Sequence, residues 1–179
     1  MVRVFIAVEI PEEFRRCLEE VQNELKFSKA HLNFVDPAIA HITIKFIGEV
    51  APDKVTSIKR ALENVKFSPY EVAFRGVSFN NPSSPRIIWT PGYDGSRSSD
   101  LKVHVEDLLE PEGILREKRK FQPHVTLARI KRFHLSLAES VASFGDFDFG
   151  SFKIESIVLK SSILKPEGPV YDDLMEVVF

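Results

Sequence analysis

The sequence has a single cysteine and lacks a long apolar run, and each of these features excludes some classes of protein. Cys17 is the single cysteine among 179 residues, which excludes an intrachain disulfide framework and a cysteine zinc site within one chain. No apolar run approaches the roughly 18 residues of a membrane span. The start, Met1-Val2-Arg3, leads directly into a strand pattern rather than a signal peptide. We therefore expect a cytoplasmic protein without a membrane partner.

The overall charge is also too small to identify a partner. The formal net charge is −2, so any basic surface for nucleic acid must be local. Hydrophobic residues make up 44% and charged residues 28%, which is typical of a globular protein with a substantial core. We expect a monomer of one domain.

What the sequence does contain is one short pattern, twice. Residues 41–46 are HITIKF and residues 124–129 are HVTLAR, so each stretch reads His-apolar-Thr-apolar. Five histidines and four threonines placed at random would give about 0.1 His-x-Thr pairs, so two by chance are improbable. Alternate side chains of a strand share a face, so each His and its Thr point one way while the apolar residues enter a core. An imidazole beside a hydroxyl, presented twice, is what a phosphoryl site needs.

Hydrophobic periodicity and turn residues predict the other elements. Residues 34–37 and 166–169 are predicted to be a loop and a turn, and Gly76 is a candidate bulge. Ser99 is predicted to cap the third helix. The predicted strands span 2–10, 41–47, 70–79, 86–90, 124–130, 147–149, 152–159 and 171–179, and the predicted helices span 11–25, 52–65, 100–109 and 135–144.

The order of these elements predicts an α+β fold. A strand-helix-motif strand-helix-strand series surrounds His41 and recurs, loosely, around His124. We infer two lobes of antiparallel sheet plus helices, related by an approximate two-fold axis, with the motif strands facing one another across a central active-site cleft. No linker separates the halves, so residues 1–179 are predicted to form a single bilobal domain whose lobes carry the two motifs.

These motifs resemble those of the 2H phosphoesterase superfamily, and most closely its RNA 2′,3′-cyclic phosphodiesterase branch, long called 2′-5′ RNA ligases. The opening strand at 3–7 also looks like that branch. Its closing pattern is matched by Leu159, Ser162, Leu164, Gly168 and Tyr171. The resemblance implies a bilobal fold whose histidines meet at the phosphate. It also implies opening of RNA terminal 2′,3′-cyclic phosphates to 2′-phosphates without a metal or other cofactor, and a reverse 2′-5′ ligase activity as a secondary possibility.

The chemistry of the groups suggests how such a site works. Hydrolysis of a cyclic phosphodiester requires a base for water on one side and an acid for the leaving ribose oxygen on the other, and imidazole serves either near neutral pH. If the product is a 2′-phosphate, our assignment is His41 as general acid toward O3′ and His124 as general base. The pseudo-symmetry leaves that order open. Thr43 and Thr126 are assigned to the non-bridging phosphate oxygens.

Phe46 and Arg129 occupy equivalent positions, five residues after each histidine. Strict alternation places them on the face opposite the histidines, so they reach the cleft only if the strand twists or ends near them. Supported by the resemblance, we interpret Phe46 as stacking on the terminal base and Arg129 as contacting phosphate. The alternative is a core phenylalanine and a structural salt bridge.

Other features carry less information. His31, His104 and His134 lack a threonine partner and are predicted to be surface or helix residues. Trp89 is predicted to be core, and neither motif has a cluster with metal-ligand spacing. A run of basic residues flanks the second motif and either guides an RNA tail or is a solvated surface: Arg116, Lys118, Arg119, Lys120, Lys131 and Arg132.

Three functions therefore remain in view. The first is hydrolysis of 2′,3′-cyclic phosphates at RNA 3′ ends or on nucleotides. The second is a phosphodiesterase or ligase that acts on other cyclic or 2′-5′-linked nucleotides. The third is a non-catalytic module that binds RNA ends through its histidines.

Overall fold

The computed structural model describes residues 1–166 and 168–179. Glu167, in the predicted turn, lies outside the described residues. Within the described ranges no helix is long and apolar enough to cross a membrane.

The strands are β1 (Val2–Glu9), β2 (His31–Phe34), β3 (His41–Val50), β4 (Tyr70–Arg75), β5 (Ser78–Phe79), β6 (Ile87–Tyr93), β7 (His124–Arg132), β8 (Asp148–Ile154), β9 (Ser156–Lys165) and β10 (Gly168–Val178). The α-helices are α1 (Glu12–Leu25), α2 (Pro52–Leu62), α3 (Arg97–Leu109) and α4 (Leu135–Ser143).

The helices form where periodicity predicts them, with one shifted start. Helix α1 follows Pro11 and buries an apolar stripe every three or four residues. Helix α3 begins three residues before its predicted start, because the backbone N–H of Ser98 donates to the Asp94 carboxylate at 2.9 Å. Ser99, the predicted cap, therefore lies inside the helix.

The strands differ from prediction at several places: β8 and β9 divide at Glu155 rather than at residues 150–151, and β10 begins at Gly168, inside the predicted turn 166–169. Strand β2 is too short for periodicity to identify, and it covers part of the region predicted as a loop. Strand β6 continues through Pro91 to Tyr93 instead of ending at Thr90. Gly76 interrupts the predicted strand 70–79, because its φ of +78° is left-handed and a Cβ there would lie 2.4 Å from the Gly145 carbonyl oxygen.

All strand pairings among the described residues are antiparallel. The order across the sheet is β10-β9-β1-β3-β7-β6-β4-β8, while β2 pairs with β7 and β5 pairs with β6. The connection between β3 and β7 consists of one residue pair, Ile42 with Val125. These are the second residues of the two motifs, so the two groups of strands meet at the motifs themselves.

The two lobes on either side of this pair each draw on both halves of the sequence. The first lobe contains β10, β9, β1 and β3, with α3 packed on β3 and α2 on α3. The second contains β7, β6, β4 and β8 with the short strands, and α1 packs on β7, β8 and α4. Helix α1 thus belongs with the His124 lobe and α3 with the His41 lobe. The chain therefore passes between the two lobes several times.

A buried ionic network lies behind β3. Lys45 is only 2% exposed, and its Nζ donates to the Glu106 carboxylate and to the Leu115 carbonyl oxygen, both at 2.7 Å. Lys102 lies 3.4 Å from the same carboxylate, which also accepts the backbone N–H of Glu117 at 3.0 Å. Burial alone would raise the pKa of Glu106, but these hydrogen bonds and charges lower it below 4.5. The network therefore fixes residues 115–117, which precede the second motif, against β3, the strand of the first motif.

Replacing Lys45 by Met should lower the free energy of unfolding by about 3 kcal/mol, because it leaves a buried carboxylate and carbonyl with fewer donors. Urea denaturation would measure the change. The matched control is Lys153→Met, at an exposed lysine paired with Glu155, which should change stability by less than about 0.5 kcal/mol. Equal stability of the two variants would show that the network does not stabilise the fold.

Candidate active site

The two motif strands have the same pattern of burial along their first six residues. In each, the His and Thr are half-buried, the apolar residues between and after them are buried, and the sixth residue is exposed. Ile42 and Val125, the second residues of the two motifs, form the antiparallel pair that joins β3 to β7. Each histidine directly precedes a residue of this pair, so the pair places the two histidines at diagonal positions. Both histidines and both threonines line one cleft.

An equivalent bulge in each motif strand brings the sixth residue to the cleft. Along β1 and β3, Ile6 pairs with Lys45 but the next residue, Ala7, pairs with Thr43, so Ile44 is extra. Strand β7 has the same shift against β6, with Leu127 extra. Two consecutive residues in each strand are therefore buried, and the alternation restarts in the opposite phase.

This shift answers the question that strict alternation raised about Phe46 and Arg129. Both side chains line the cleft with the histidines. Phe46 is 43% exposed, so it is not a core residue. Arg129 forms no ion pair with any residue in the described ranges, so it is not part of a structural salt bridge there.

Helix α1 supports the bulge of the second motif from behind. The side chain of Gln22 is buried, and its Nε2 donates to the carbonyl oxygen of Leu127 at 2.9 Å and to that of Val35 at 2.7 Å. The backbone N–H of Val35 also donates to Leu127 at 3.0 Å. The carbonyl of the extra residue thus has two donors although it has left the regular ladder.

Each histidine is held through Nδ1 by a backbone carbonyl two residues earlier. His41 Nδ1 lies 2.9 Å from the carbonyl oxygen of Ile39, and His124 Nδ1 lies 2.8 Å from that of Gln122. A carbonyl can only accept, so Nδ1 carries the hydrogen and Nε2 is the basic nitrogen of each neutral ring. His41 Nε2 accepts from the Thr43 hydroxyl at 3.1 Å in this tautomer. Both Nε2 atoms are thereby the ones available for proton transfer.

The two rings pack against different aromatic residues. His41 lies between Phe5, at 5.0 Å between ring centroids, and the edge-on ring of Tyr171 at 5.4 Å. His124 lies against Trp89 at 4.4 Å. Trp89 was predicted to be core, and this was wrong: it is half-buried and packs on the imidazole, with its indole N–H donating to Ser78 at 3.0 Å. Position in a short strand does not reveal that an aromatic ring supports a cleft residue.

Partial burial lowers the pKa of both histidines below 6.5. For His124, the loss of hydration outweighs the hydrogen bond to Gln122. For His41, burial is again the largest cause. The hydrogen bond to Ile39 and the carboxylate of Glu9 raise the pKa in part, while Lys160 and His124 lower it further. The influence of one imidazole on the other is consistent with two rings in one cleft.

The cleft has a volume of about 540 Å³ and includes residues to which sequence patterns assigned no role. Arg3 and Tyr171 lie in segments that carry the family resemblance, and Arg3 interrupts an otherwise apolar strand, which is a signal that could have identified it. Asn33 and Lys165 have no such signal, because tertiary structure alone brings β2 and the end of β9 to the cleft. The further lining residues are Phe5, Val35, Ala40, Ser162, Leu164, Pro166, Gly168 and Pro169.

Comparison with known sequences identifies the family. The LigT-like phosphoesterase family matches residues 8–89 and 96–171 of this chain. The chain belongs to the LigT-like phosphoesterase family. This confirms the resemblance that the two motifs indicated.

Relatives match this LigT-like phosphoesterase over nearly its whole length. The RNA 2′,3′-cyclic phosphodiesterase of Archaeoglobus fulgidus is 34% identical over 97% of this chain and 98% of its own. The protein of the same name from Methanothermobacter thermautotrophicus is 32% identical over 97% of this chain and 96% of its own.

Solved structures confirm the predicted α+β bilobal fold. The protein TT0787 of Thermus thermophilus superposes with a TM-score of 0.79, at 28% identity over 98% of this chain and 97% of its own. E. coli LigT, in its complex with 3′-AMP, superposes with a TM-score of 0.82 at 19% identity, over 99% of this chain and 97% of its own. At that identity the second likeness concerns the fold alone.

The remaining histidines of this LigT-like phosphoesterase lie outside the cleft, as predicted. His134 caps α4 by accepting the Ser136 backbone N–H at 3.1 Å, His104 lies in α3, and His31 is exposed on β2. Arg116, in the basic run, pairs with Asp107 and Glu110 on the surface, which favours a structural role for that residue. In the described residues, no group of three or more His, Cys, Asp or Glu side chains is placed to hold a metal ion.

The single tryptophan should report the protonation of His124, because an imidazolium 4.4 Å away quenches indole fluorescence. Intensity should fall as the pH decreases, with a midpoint below 6.5 because burial lowers the pKa of His124. A fluorescence titration from pH 8 to pH 4 measures this. His124→Gln should abolish the transition and His31→Gln should retain it. A transition that persists in His124→Gln, or one centred above 6.5, would contradict the assignment.

Proposed function

We propose that this chain hydrolyses the terminal 2′,3′-cyclic phosphate of RNA to a 2′-phosphate, without a metal, by acid–base catalysis with His41 and His124. The observation that carries the proposal is the convergence of two His–Thr pairs on one cleft through the Ile42–Val125 pair. The name RNA 2′,3′-cyclic phosphodiesterase, shared by relatives about one third identical, supports the substrate class.

In the proposed reaction a water oxygen attacks phosphorus and the bond from phosphorus to O3′ breaks. The Nε2 of neutral His124 takes the proton from water, and Nε2–H of protonated His41 gives a proton to O3′ as it leaves. Each transfer contributes roughly 10²–10⁴ in rate. After the reaction His41 is neutral and His124 is protonated, so proton exchange with solvent restores the starting state.

The two rings differ in the charged groups near them, which bear on this order. The carboxylate of Glu9 favours the protonated form of His41, although the nearby Lys160 opposes it. For His124, burial is opposed only by the hydrogen bond to Gln122, which keeps its Nε2 available as a base. The pKa of both rings is lowered, and Glu9 is itself paired with Arg15 and Lys160, so the order of acid and base stays part of the proposal.

The other cleft residues complete the proposed site. The hydroxyls of Thr43 and Thr126 would donate to the non-bridging phosphate oxygens, where charge must be stabilised in the transition state. Arg129 would contact the same phosphate as a permanent cation. Phe46, exposed at the rim of the cleft, would stack on the terminal base.

We also propose that residues 1–179 form a single bilobal domain, which the family match at both motifs supports. The monomeric state and the cytoplasmic location remain predictions. RNA 3′ ends remain the expected partner.

Purified protein in excess EDTA should convert a 2′,3′-cyclic nucleotide, or an oligonucleotide with that end, to the 2′-phosphate, because its imidazoles and hydroxyls supply the proposed catalysis. Phosphorus NMR or ion-exchange chromatography distinguishes the 2′- from the 3′-product. Loss of turnover in EDTA, restored by a divalent cation, would contradict metal independence. Tight binding without product would identify an RNA-end-binding module instead.

His41→Ala and His124→Ala should each lower kcat by about 10²–10⁴, because each removes one proton-transfer group. Steady-state assays with a cyclic nucleotide measure the loss, and thermal unfolding checks that the fold is kept. His31→Ala, which removes an exposed histidine outside the cleft, is the control and should retain full activity. Wild-type rates in either cleft variant would end the paired-histidine proposal.

A further inference from the structure

The cleft contains more positive charge than the reaction requires. Its cationic side chains are Arg3 of β1, Arg129 of β7 and Lys165 at the end of β9, and the described residues that line it include no carboxylate. None of the three forms an ion pair with a described residue. Arg3 lies opposite Glu49 in the pairing of β1 with β3, yet its guanidinium lies 4.9 Å from the centre of the Phe46 ring. Among the described residues, these cations therefore line the cleft without a carboxylate that neutralises them.

A cyclic phosphodiester carries one negative charge, and the proposed catalytic groups already account for it. Arg129, the two threonine hydroxyls and the protonated His41 surround the reacting phosphate in the proposed mechanism. Among the described residues, Arg3 and Lys165 then have no anionic partner in a mononucleotide complex. Like charges gathered in a cleft attract a further anion, and they do so more strongly where solvent is partly excluded.

Arg3 and Lys165 are placed to act on a single group. Arg3 pairs with Ser162 across β1 and β9, and Lys165 lies three residues farther along β9. Three residues of a strand span about 10 Å, within the combined reach of two long side chains. Lys165 also lines an adjoining cavity of about 290 Å³ that continues the cleft past Asn33. The space beyond the reacting phosphate is thus open next to Lys165, where Asp36 also lines it, while Arg3 lines the main cleft only.

We propose that Arg3 and Lys165 form a second phosphate site, for the phosphodiester that joins the terminal nucleotide to its 5′ neighbour. The proposal rests on the proposed function, since it takes the reacting end to lie at the histidines and the terminal base at Phe46. The guanidinium of Arg3 lies 4.9 Å from the centre of the Phe46 ring, so the base would stack on the other face of that ring and a phosphate on its 5′ oxygen would come within reach of Arg3. The preferred substrate is then an oligonucleotide with a cyclic end rather than a cyclic mononucleotide.

The test compares two dinucleotide 2′-phosphates that differ only in the linkage, one a phosphodiester and the other an uncharged methylphosphonate. Calorimetry of the full chain should give about fivefold tighter binding of the phosphodiester, roughly 1 kcal/mol, at low salt. Lys165→Gln and Arg3→Gln should each reduce that preference to about twofold or less. Lys153→Gln removes the same charge on β8, outside the cleft, and should retain the full preference.

Equal affinity of the wild-type protein for the two ligands would overturn the second site. A full preference in both Lys165→Gln and Arg3→Gln would do the same. Neither result depends on turnover, because both ligands are product-like and are not consumed. Turnover of a 2′,3′-cyclic mononucleotide by the same preparation tests the proposed function separately.

Discussion

The backbone pairing of Ile42 with Val125 is the constraint on which the site depends. An antiparallel pair has a local two-fold axis, and this axis relates His41 to His124 and the threonine that follows each. Strand β3 then continues along β1 and strand β7 along β6, so the two motif strands separate beyond this pair. If β3 and β7 were paired along their whole length, no cleft would separate them. A single pair instead joins the two lobes and leaves a cleft between them.

The approximate symmetry of the backbone is broken by the side chains. Both motif strands have a bulge at the same place, yet the residues that follow are Lys45 and Phe46 in one strand and Ala128 and Arg129 in the other. The sixth residue of one motif is therefore aromatic and that of the other is cationic. A terminal nucleotide is itself asymmetric, with a base on one side and charged phosphate on the other, so this difference can orient it.

The histidines are held firmly without being sealed from solvent. Carbonyl oxygens at Ile39 and Gln122 fix Nδ1 as the protonated nitrogen, and aromatic rings support each imidazole from the side. Partial burial lowers both pKa values, which favours the neutral ring that a general base requires. The acid must then be protonated against this tendency, and the carboxylate of Glu9 is the nearby group that favours it in His41.

Local sequence determined the helices, most strands, the paired motifs and the direction of each His and Thr, because periodicity and turn residues act over a few neighbours. Strict alternation alone placed the two sixth residues on the opposite face, because a bulge shows itself only in the register with a partner strand. It also assigned Trp89 to the core and gave Asn33 and Lys165 no role, since strands distant in the chain bring them to the cleft. Only the tertiary structure decided how the two motifs reach the cleft that their repetition predicted, because a single pair between residues 83 positions apart joins them.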